Sequence, residues 1–249
     1  MRILIDLTEN KVFTLINENI TNKDIKILEL TPGEGNLTKA LLNNGYHNIQ
    51  AMDIDPDNFK VKDVVCHKGN LNDLFPFDSN SFDLVISVEG IEHLENQYQF
   101  ASEINRVLND NGHAIITTPN INNFASRVKY LFTGFYSLAE RPSSEFEKNW
   151  FIEHIYPLTF WQLRHILHTS GLFIQKTGTN RIRHSSLIGI FFYPFSYGLT
   201  WRELNSEPDE RQRKANMEIL KQMHTPALYL GKSQIILAQK QQHSYVKNT

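Results

Sequence analysis

The first half of the chain alternates apolar, strand-like runs with helical segments, and this alternation restricts the fold more than any other feature. The predicted strands are residues 25–30, 49–54, 61–66 (the weakest), 82–88 and 112–118, and the predicted helices are residues 36–44 and 97–108. The run FDLVISV at 82–88 is almost continuously apolar, as expected of a central parallel strand buried on both faces. Strands separated by helices indicate βαβ units with parallel pairing and right-handed crossovers.

The second half is less regular. Helical spacing recurs over residues 124–132 and 159–169, where Thr159 is a candidate N-cap and Gly171 a stop signal. Two further strands are predicted, at residues 172–177 and 233–239. The stretch between them is too long for a hairpin loop, so we expect it to contain helices of its own.

Composition is typical of a globular chain. The 249 residues suffice for one generous α/β domain, and 41% are hydrophobic against 21% charged. A formal net charge of -2 argues against a dedicated nucleic-acid binder. Cys66 is the only cysteine, which rules out an internal disulfide and fits a reducing cytoplasm. The first ten residues contain no long apolar run, so we expect no signal peptide.

Residues 186–201 (SLIGIFFYPFSYGLTW) form the most apolar and aromatic stretch of the chain. A membrane-spanning helix needs about 20 apolar residues, and this run is shorter and contains Pro194. We expect a buried helix or lid here. A peripheral membrane contact or a homodimer face are the alternatives.

A glycine-rich turn follows the first predicted strand, in LELTPGEG (28–35). Glycines allow a sharp turn and a close approach of the backbone to a ligand, although a short motif of this kind is as compatible with a purely structural turn. Asp53 at the end of the next strand strengthens the functional interpretation, because it lies about 20 residues further on, where an acid binds nucleotide ribose. The alternative is a carboxylate that merely caps or solvates the strand end.

A nicotinamide-binding site is the natural competitor. Its fingerprint requires Gly or Ala three positions after Gly35, where this chain has Thr38. The Tyr-x-x-x-Lys pair of short-chain dehydrogenases is also missing from the sequence. Both observations weigh against an NAD-linked oxidoreductase.

Four motifs together make the chain resemble a known family. The first half is similar to class I S-adenosylmethionine-dependent methyltransferases, in particular to their ubiquinone-O-methyltransferase-like branch. The motifs, in chain order and with family-like spacing over residues 25–120, are ILELTPGEGNLTKAL (27–41), AMDIDP (51–56), GNLNDLFPFDSNSFDLVISVEGIEHLEN (69–96) and NGHAIITTPN (111–120).

The resemblance implies an α/β fold of the Rossmann-like, doubly wound type. We expect a mostly parallel sheet with helices on both faces, an antiparallel last strand, and a C-terminal helical and aromatic insertion that acts as a lid. The expected layout is a single domain over 1–249. Its expected parts are a helical extension (1–24), a cofactor-binding core (25–120) and an acceptor-side half (121–249) with lid insertions near 134–158 and 178–232.

The resemblance also assigns the methionine end of the cofactor S-adenosylmethionine. Glu29 would lie near the ammonium group, and the backbone at Gly33 and Gly35 would wrap the methionine portion. Thr31 stands where the family has the first glycine of its motif, so its side chain adds bulk where the backbone should approach the cofactor. A degenerate member that binds without turnover is therefore an alternative.

The nucleoside end is assigned in the same way. Asp53 would hold the ribose, Ile54 would pack on the adenine face, and Asn70 with Leu71 would bracket the adenine edge. The family often has Asp in place of Asn70, but an amide oxygen can still accept from the adenine amino group. We therefore expect cofactor binding to persist.

Glu89, followed by Gly90 and His93, would lie beside the reacting methyl group. A hydroxyl acceptor benefits from a positioned base, and histidine is the first candidate near neutral pH. His93 and His154 are the two candidates; His93 could instead cap the helix that follows it, and His154 could be an ordinary surface residue. Neither they nor other residues suggest a metal site.

The acceptor itself is not readable from the sequence. We expect O-methylation of a small molecule, a glycan or a lipid-linked acceptor, as in bacterial enzymes of similar sequence, and no nucleic-acid partner. A cytoplasmic protein is expected, with peripheral contact at the inner membrane face through residues 186–201 as an extension. The alternatives are a cofactor-binding module without turnover and, less favoured, an NAD-linked oxidoreductase.

Overall fold

A computed structural model describes residues 6–137 and 156–241 of the chain. Its seven strands form one sheet in the order β3-β2-β1-β4-β5-β7-β6. The strands are β1 Ile27–Leu30, β2 Ile49–Asp53, β3 Cys66–Lys68, β4 Phe82–Val88, β5 Leu108–Pro119, β6 Leu172–Gly178 and β7 Ser233–Lys240.

Strands β1 to β5 pair in parallel, and β7 lies antiparallel between β5 and β6. The helices are α1 Leu7–Asn19, α2 Asn36–Asn43, α3 Gln97–Val107, α4 Phe124–Thr133, α5 Phe160–Thr169, α6 Gly189–Asn205, α7 Glu210–Met223 and α8 Pro226–Leu230. The predicted Rossmann-like fold with an antiparallel last strand is confirmed.

Buried side chains divide into two layers, one on each face of the sheet. Val12 of α1 and Leu37 of α2 belong to one layer, and Phe100 of α3 and Leu163 of α5 belong to the other. Successive β-strand side chains point to opposite faces, so each central strand contributes to both layers. Such a doubly wound arrangement has a crevice at the carboxyl ends of the strands, where the strand order reverses between β1 and β4.

Helix α5 shows how local sequence sets an element boundary. Thr159 Oγ1 accepts from the Gln162 amide at 3.2 Å, and Gln162 Oε1 accepts from the Thr159 amide at 2.9 Å, which completes a capping box. Gly171 follows the helix with a φ of 83°, a conformation that glycine adopts without strain. The predicted N-cap and stop signal are both confirmed.

The third strand was predicted in the wrong place. Residues 61–65 precede β3, and the side chains of Val61 and Val64 are buried in the layer beneath α1 and α2. Strand pairing begins only at Cys66, which is in register with Ala51. The apolar run reflects burial in a loop, which hydrophobicity alone cannot distinguish from a strand.

The aromatic segment 186–201 is not buried in this chain, so that part of the prediction is wrong. It lies mostly in α6, which is apolar all round and can pack only one side against its neighbours, while Phe191 remains 85% exposed. The range 178–232 contains the helices α6, α7 and α8, as expected. The lid role and a membrane or homodimer contact through residues 186–201 stay predictions. Within the described ranges, no helix is both long enough and apolar enough to cross a bilayer.

Two neighbouring phenylalanines of α6 should differ in their contribution to stability. Phe192 stacks on Phe124 with ring centroids 5.5 Å apart, whereas Phe191 is largely in solvent. We expect Phe192→Ser to lower the free energy of unfolding by about 1 kcal/mol or more, and Phe191→Ser to change it by less than about 0.5 kcal/mol. Urea unfolding of both variants measures this difference, and equal losses would contradict the packing described.

Candidate functional site

A cleft of about 360 Å³ opens at the carboxyl edge of the sheet, where the loops after β1, β2, β3 and β4 meet. Seven residues singled out from the sequence line it: Thr31, Asp53, Ile54, Asn70, Leu71, Glu89 and His93. Gly90, expected beside Glu89, lines it too. Sequence reasoning missed Gly69, Asn72, Leu94 and Glu95, which flank the predicted residues. Extending each motif by its neighbours would have found them.

Thr31 begins the turn after β1 and lines the cleft. Its φ of 51° is unusual for a β-branched residue, and its Oγ1 donates to the carbonyl of Leu30 at 2.7 Å. The hydroxyl is therefore turned back onto the strand end that precedes it. The turn keeps its shape without the glycine that the family has at this position.

The two glycines of the turn differ in their surroundings. Both have positive φ, 54° at Gly33 and 81° at Gly35. A Cβ on Gly35 would lie 2.5 Å from Val61 Cγ2, whereas a Cβ on Gly33 would meet nothing within 4 Å. Gly35 is thus fixed by packing and Gly33 faces open space. Neither is among the residues that line the cleft, so their role in wrapping the methionine portion stays a prediction.

Glu29 lies behind the turn and does not line the cleft. Its side chain is 3% exposed, and its Oε2 accepts from Thr38 Oγ1 of α2 at 2.5 Å. Burial raises the pKa of Glu29 to about 8, against the lowering effect of the Thr38 hydroxyl. The structure directs this carboxyl toward α2, so contact with an ammonium group remains a prediction.

Asp53 and Ile54 end β2 side by side in the cleft. Asp53 Oδ1 accepts from the amide of Asp55 at 3.0 Å, and its Oδ2 accepts no hydrogen bond from another described residue. The Asp53 carbonyl accepts from the Gly69 amide at 2.9 Å, which ties the loop after β3 to this corner. Ile54 is 59% exposed, an unusual position for a large apolar side chain unless something covers it. A carboxylate oxygen and an apolar surface are thus available together.

The loop after β3 forms a second wall. Asn70 Oδ1 accepts from the amide of Asn72 at 3.0 Å, and Asn72 Oδ1 accepts from the amide of Asn96 at 3.2 Å. Asn70 Oδ1 also accepts a longer bond from Asn72 Nδ2 at 3.5 Å, so Asn72 holds this side chain in its local turn. Leu71 is buried beneath this loop. The wall is therefore fixed before any ligand arrives.

Glu89 stands at the end of β4 with a φ of 51°. Its amide donates to the carbonyl of Thr117 at 3.2 Å and to Thr117 Oγ1 at 3.0 Å. Burial raises the pKa of the Glu89 carboxyl; nearby Asp6 raises it further, and Lys232 lowers it. Left-handed non-glycine residues concentrate at functional sites, and both Thr31 and Glu89 line this cleft.

His93 is the last residue of a short 3-10 helix, Ile91–His93, and lines the cleft. The N-cap of α3 is Asn96, whose side chain accepts from the Gln99 amide at 3.0 Å, so the interpretation of His93 as the helix cap is wrong. His154, the other candidate base, lies outside the described residues. The role of either histidine as a base stays a prediction.

Among the described residues, no group of three or more His, Cys, Asp or Glu side chains is arranged to hold a metal ion. His168 accepts from the amide of Ile174 through Nε2 at 3.2 Å, and His165 stacks on Trp161. Both histidines of α5 thus have structural contacts.

Stability conferred by Glu29 should fall as the pH rises. The ordinary pKa of 4.5 applies to the unfolded chain and about 8 to the folded one, so the contribution is complete below about pH 4.5 and is lost as pH rises through about 8. Glu29→Gln keeps an acceptor for Thr38 but cannot ionise. Relative to wild type, its free energy of unfolding should improve by about 1 kcal/mol per pH unit between these values.

Urea unfolding at about pH 5 and about pH 8 measures this difference. Glu34→Gln, on the exposed side of the same turn, is the matched control for loss of a carboxylate. A difference between wild type and Glu29→Gln that stays constant over the range would contradict the prediction.

Residues 28–116 match the model of the methyltransferase domain family. The matched segment contains every described residue that lines the cleft. Human mitochondrial ubiquinone biosynthesis O-methyltransferase is similar to the chain, with 25% identity over 197 residues, 73% of this chain and 48% of the human protein. The chain spans about half the length of the curated relatives it matches.

Solved structures share the fold at low sequence identity. An S-adenosylmethionine-dependent methyltransferase from Archaeoglobus fulgidus superposes with a TM-score of 0.54 and 17% identity, covering 93% of this chain and 94% of the other. The [4+2]-cyclase SpnF superposes with a TM-score of 0.57 and 13% identity, covering 93% and 81%. These likenesses show the fold alone, and a fold of this kind serves more than one reaction.

The domain match, the strand order and the positions of the motif residues around one cleft agree with one another. They also agree with the family that the motifs of residues 25–120 resemble. Residues 28–116 are thus similar to the methyltransferase domain family, and they lie in a chain whose sheet has the Rossmann-like strand order.

Proposed function

We propose that the chain binds S-adenosylmethionine in the cleft and transfers its methyl group to a hydroxyl oxygen of a small-molecule, glycan or lipid-linked acceptor. The observation that carries the proposal is the meeting of Asp53, Ile54 and Glu89 in one cleft that lies wholly within the methyltransferase match. The alternative is a module that binds the cofactor without turnover, because the same cleft would suffice for binding alone.

The residues present fit this cofactor. Asp53 Oδ2 is available to accept from ribose hydroxyls, and the exposed side chain of Ile54 offers an apolar surface to a flat base. Gly35 is the N-cap of α2 and has no side chain that could accept from the first amides of the helix. These amides therefore favour a carboxylate, such as that of the methionine portion. Open space at Gly33 allows a close approach of the backbone.

When bound, the cofactor would supply a methyl group carried on a positively charged sulfur. The electron pair of the broken carbon–sulfur bond would stay on the sulfur, and the proton of the acceptor hydroxyl would pass to a base. The protein contributes mainly orientation, which can supply about 7–11 kcal/mol of the barrier. Thr31 and Glu89 follow two paired, adjacent strands and would help to position the reacting groups. Glu89 and His93 are titratable residues that line the cleft, and His93 is the candidate base for the acceptor proton.

Replacing the ribose-binding acid tests cofactor binding. We expect Asp53→Ala to weaken S-adenosylmethionine binding roughly 10-fold or more, because hydrogen bonds to a charged group contribute about 1.5–3 kcal/mol. Asp55→Ala is the matched control, since Asp55 accepts from Asn58 Nδ2 at 2.8 Å and does not line the cleft. Titration calorimetry measures both, and an Asp53→Ala variant that binds like wild type would contradict the assignment.

Turnover separates enzyme from binding module. Release of the demethylated cofactor in the presence of hydroxyl acceptors, above the rate without acceptor, supports methyl transfer. Tight cofactor binding with no acceptor-dependent release over a broad acceptor panel would favour the module.

The two glycines of the turn should separate stability from binding. Gly35→Ala puts a Cβ against Val61 and Phe59 at a φ of 81°, so we expect a loss of about 2 kcal/mol or more in the free energy of unfolding. Gly33→Ala adds only the strain of a φ of 54°, about 1 kcal/mol, but places a methyl group in the space proposed for the cofactor. Urea unfolding and calorimetry distinguish them; Gly33→Ala with unchanged binding would argue against contact there.

A further inference from the structure

A second cavity, of about 450 Å³, adjoins the cleft at Glu89. Among the described residues, Glu89 alone lines both spaces. The other walls of the second cavity come from the start of α1, the end of β5, the segment after β6 and the start of β7. A molecule in this cavity would therefore meet one in the cleft beside the end of β4.

Two cationic side chains, those of Arg181 and Lys232, line the second cavity. The backbone holds them together, because the Lys232 amide donates to the Arg181 carbonyl at 2.9 Å and an antiparallel bridge joins Ile182 to Gly231. Neither side chain forms a hydrogen bond or an ion pair with another residue of the described ranges, although Lys232 is close enough to Glu89 to lower the pKa of that carboxyl. Positive charge is thus concentrated in one wall of the cavity.

The two acids of the cavity do not cancel this charge. Asp6 Oδ1 accepts from the amides of Thr8 at 2.6 Å and Glu9 at 2.7 Å, so its charge is engaged by the N-terminus of α1. Glu89 lies at the end of β4, where the cavity adjoins the cleft, and not in the wall that carries Arg181 and Lys232. The cavity thus favours an anion at its Arg181 and Lys232 end.

We propose that the second cavity binds the methyl acceptor and that this acceptor carries an oxyanion group, a phosphate or a carboxylate, held by Arg181 and Lys232. Guanidinium and ammonium groups both form strong, charge-assisted hydrogen bonds with such oxyanions. Binding the anion at this wall leaves the remainder of the acceptor directed toward Glu89 and the junction with the cleft. The inference rests on the proposed methyl transfer and narrows its acceptor to an acidic molecule.

The test measures binding of inorganic phosphate and of succinate to the full chain by titration calorimetry, with and without S-adenosylhomocysteine. The double variant Arg181→Gln/Lys232→Gln removes the two cations, and Arg211→Gln/Lys214→Gln on α7 removes the same charge at a site outside the cavity. Thermal unfolding confirms that both variants fold. We expect saturable binding of at least one probe by wild type, weakened roughly 10- to 100-fold in the cavity variant and unchanged in the α7 control.

Each outcome has a defined meaning. Binding of phosphate alone or of succinate alone supports the proposal and identifies the preferred oxyanion. Failure of wild type to bind either probe, or equal weakening in both double variants, overturns it. Failure to bind S-adenosylhomocysteine overturns the proposed function instead, and that result is distinguishable because the cavity variant leaves the cofactor cleft intact.

Discussion

The parallel pairing of β1 with β4 is the constraint on which the site depends. Leu30 is in register with Ser87, so both strands reach the same edge of the sheet together, while β2 and β5 lie on opposite outer sides. The residue after each strand, Thr31 after β1 and Glu89 after β4, has a left-handed backbone conformation. This conformation costs about 1–3 kcal/mol in a residue other than glycine. The flanking strands hold both exits: the Thr31 amide donates to Met52 of β2, and the Glu89 amide to Thr117 of β5. The backbone strain at these two residues and the crevice between them thus both follow from the parallel pairing of β1 with β4.

Sequence reasoning succeeded where one physical signal dominates. Strand β4 is almost continuously apolar and was predicted to the residue, and Thr159 was predicted as the N-cap of α5. It failed where burial depends on distant partners. Val61 and Val64 are apolar because they pack beneath α2, and the aromatic residues of α6 are exposed although composition suggested burial. A local pattern reports hydrophobicity but does not identify which surface covers it.

The same distinction applies to the candidate site. Asp53 was predictable from its distance to the glycine turn, and Asn70 and Glu89 from the resemblance of their motifs to the family. Arg181 and Lys232 were not, since they are far apart in the chain and meet only through the antiparallel placement of β7 beside β6. Of the described residues that line the second cavity, the family match contains only Glu89. The residues proposed to hold the acceptor therefore lie largely outside the segment that matches the family.

Because β7 lies between β5 and β6, the sheet can be completed only after β7 has been synthesised. Strands β1 to β5, which carry the cleft, are contained in the first 119 residues, whereas β6 pairs only with β7, near the end of the described chain. During synthesis, the strand set around the cleft emerges well before β7 can join it. Until β7 arrives, the edge of β5 is unpaired and the apolar side chains of β6 have no neighbouring strand. A nascent chain of this protein would thus expose an open sheet edge while residues 120–232 are translated.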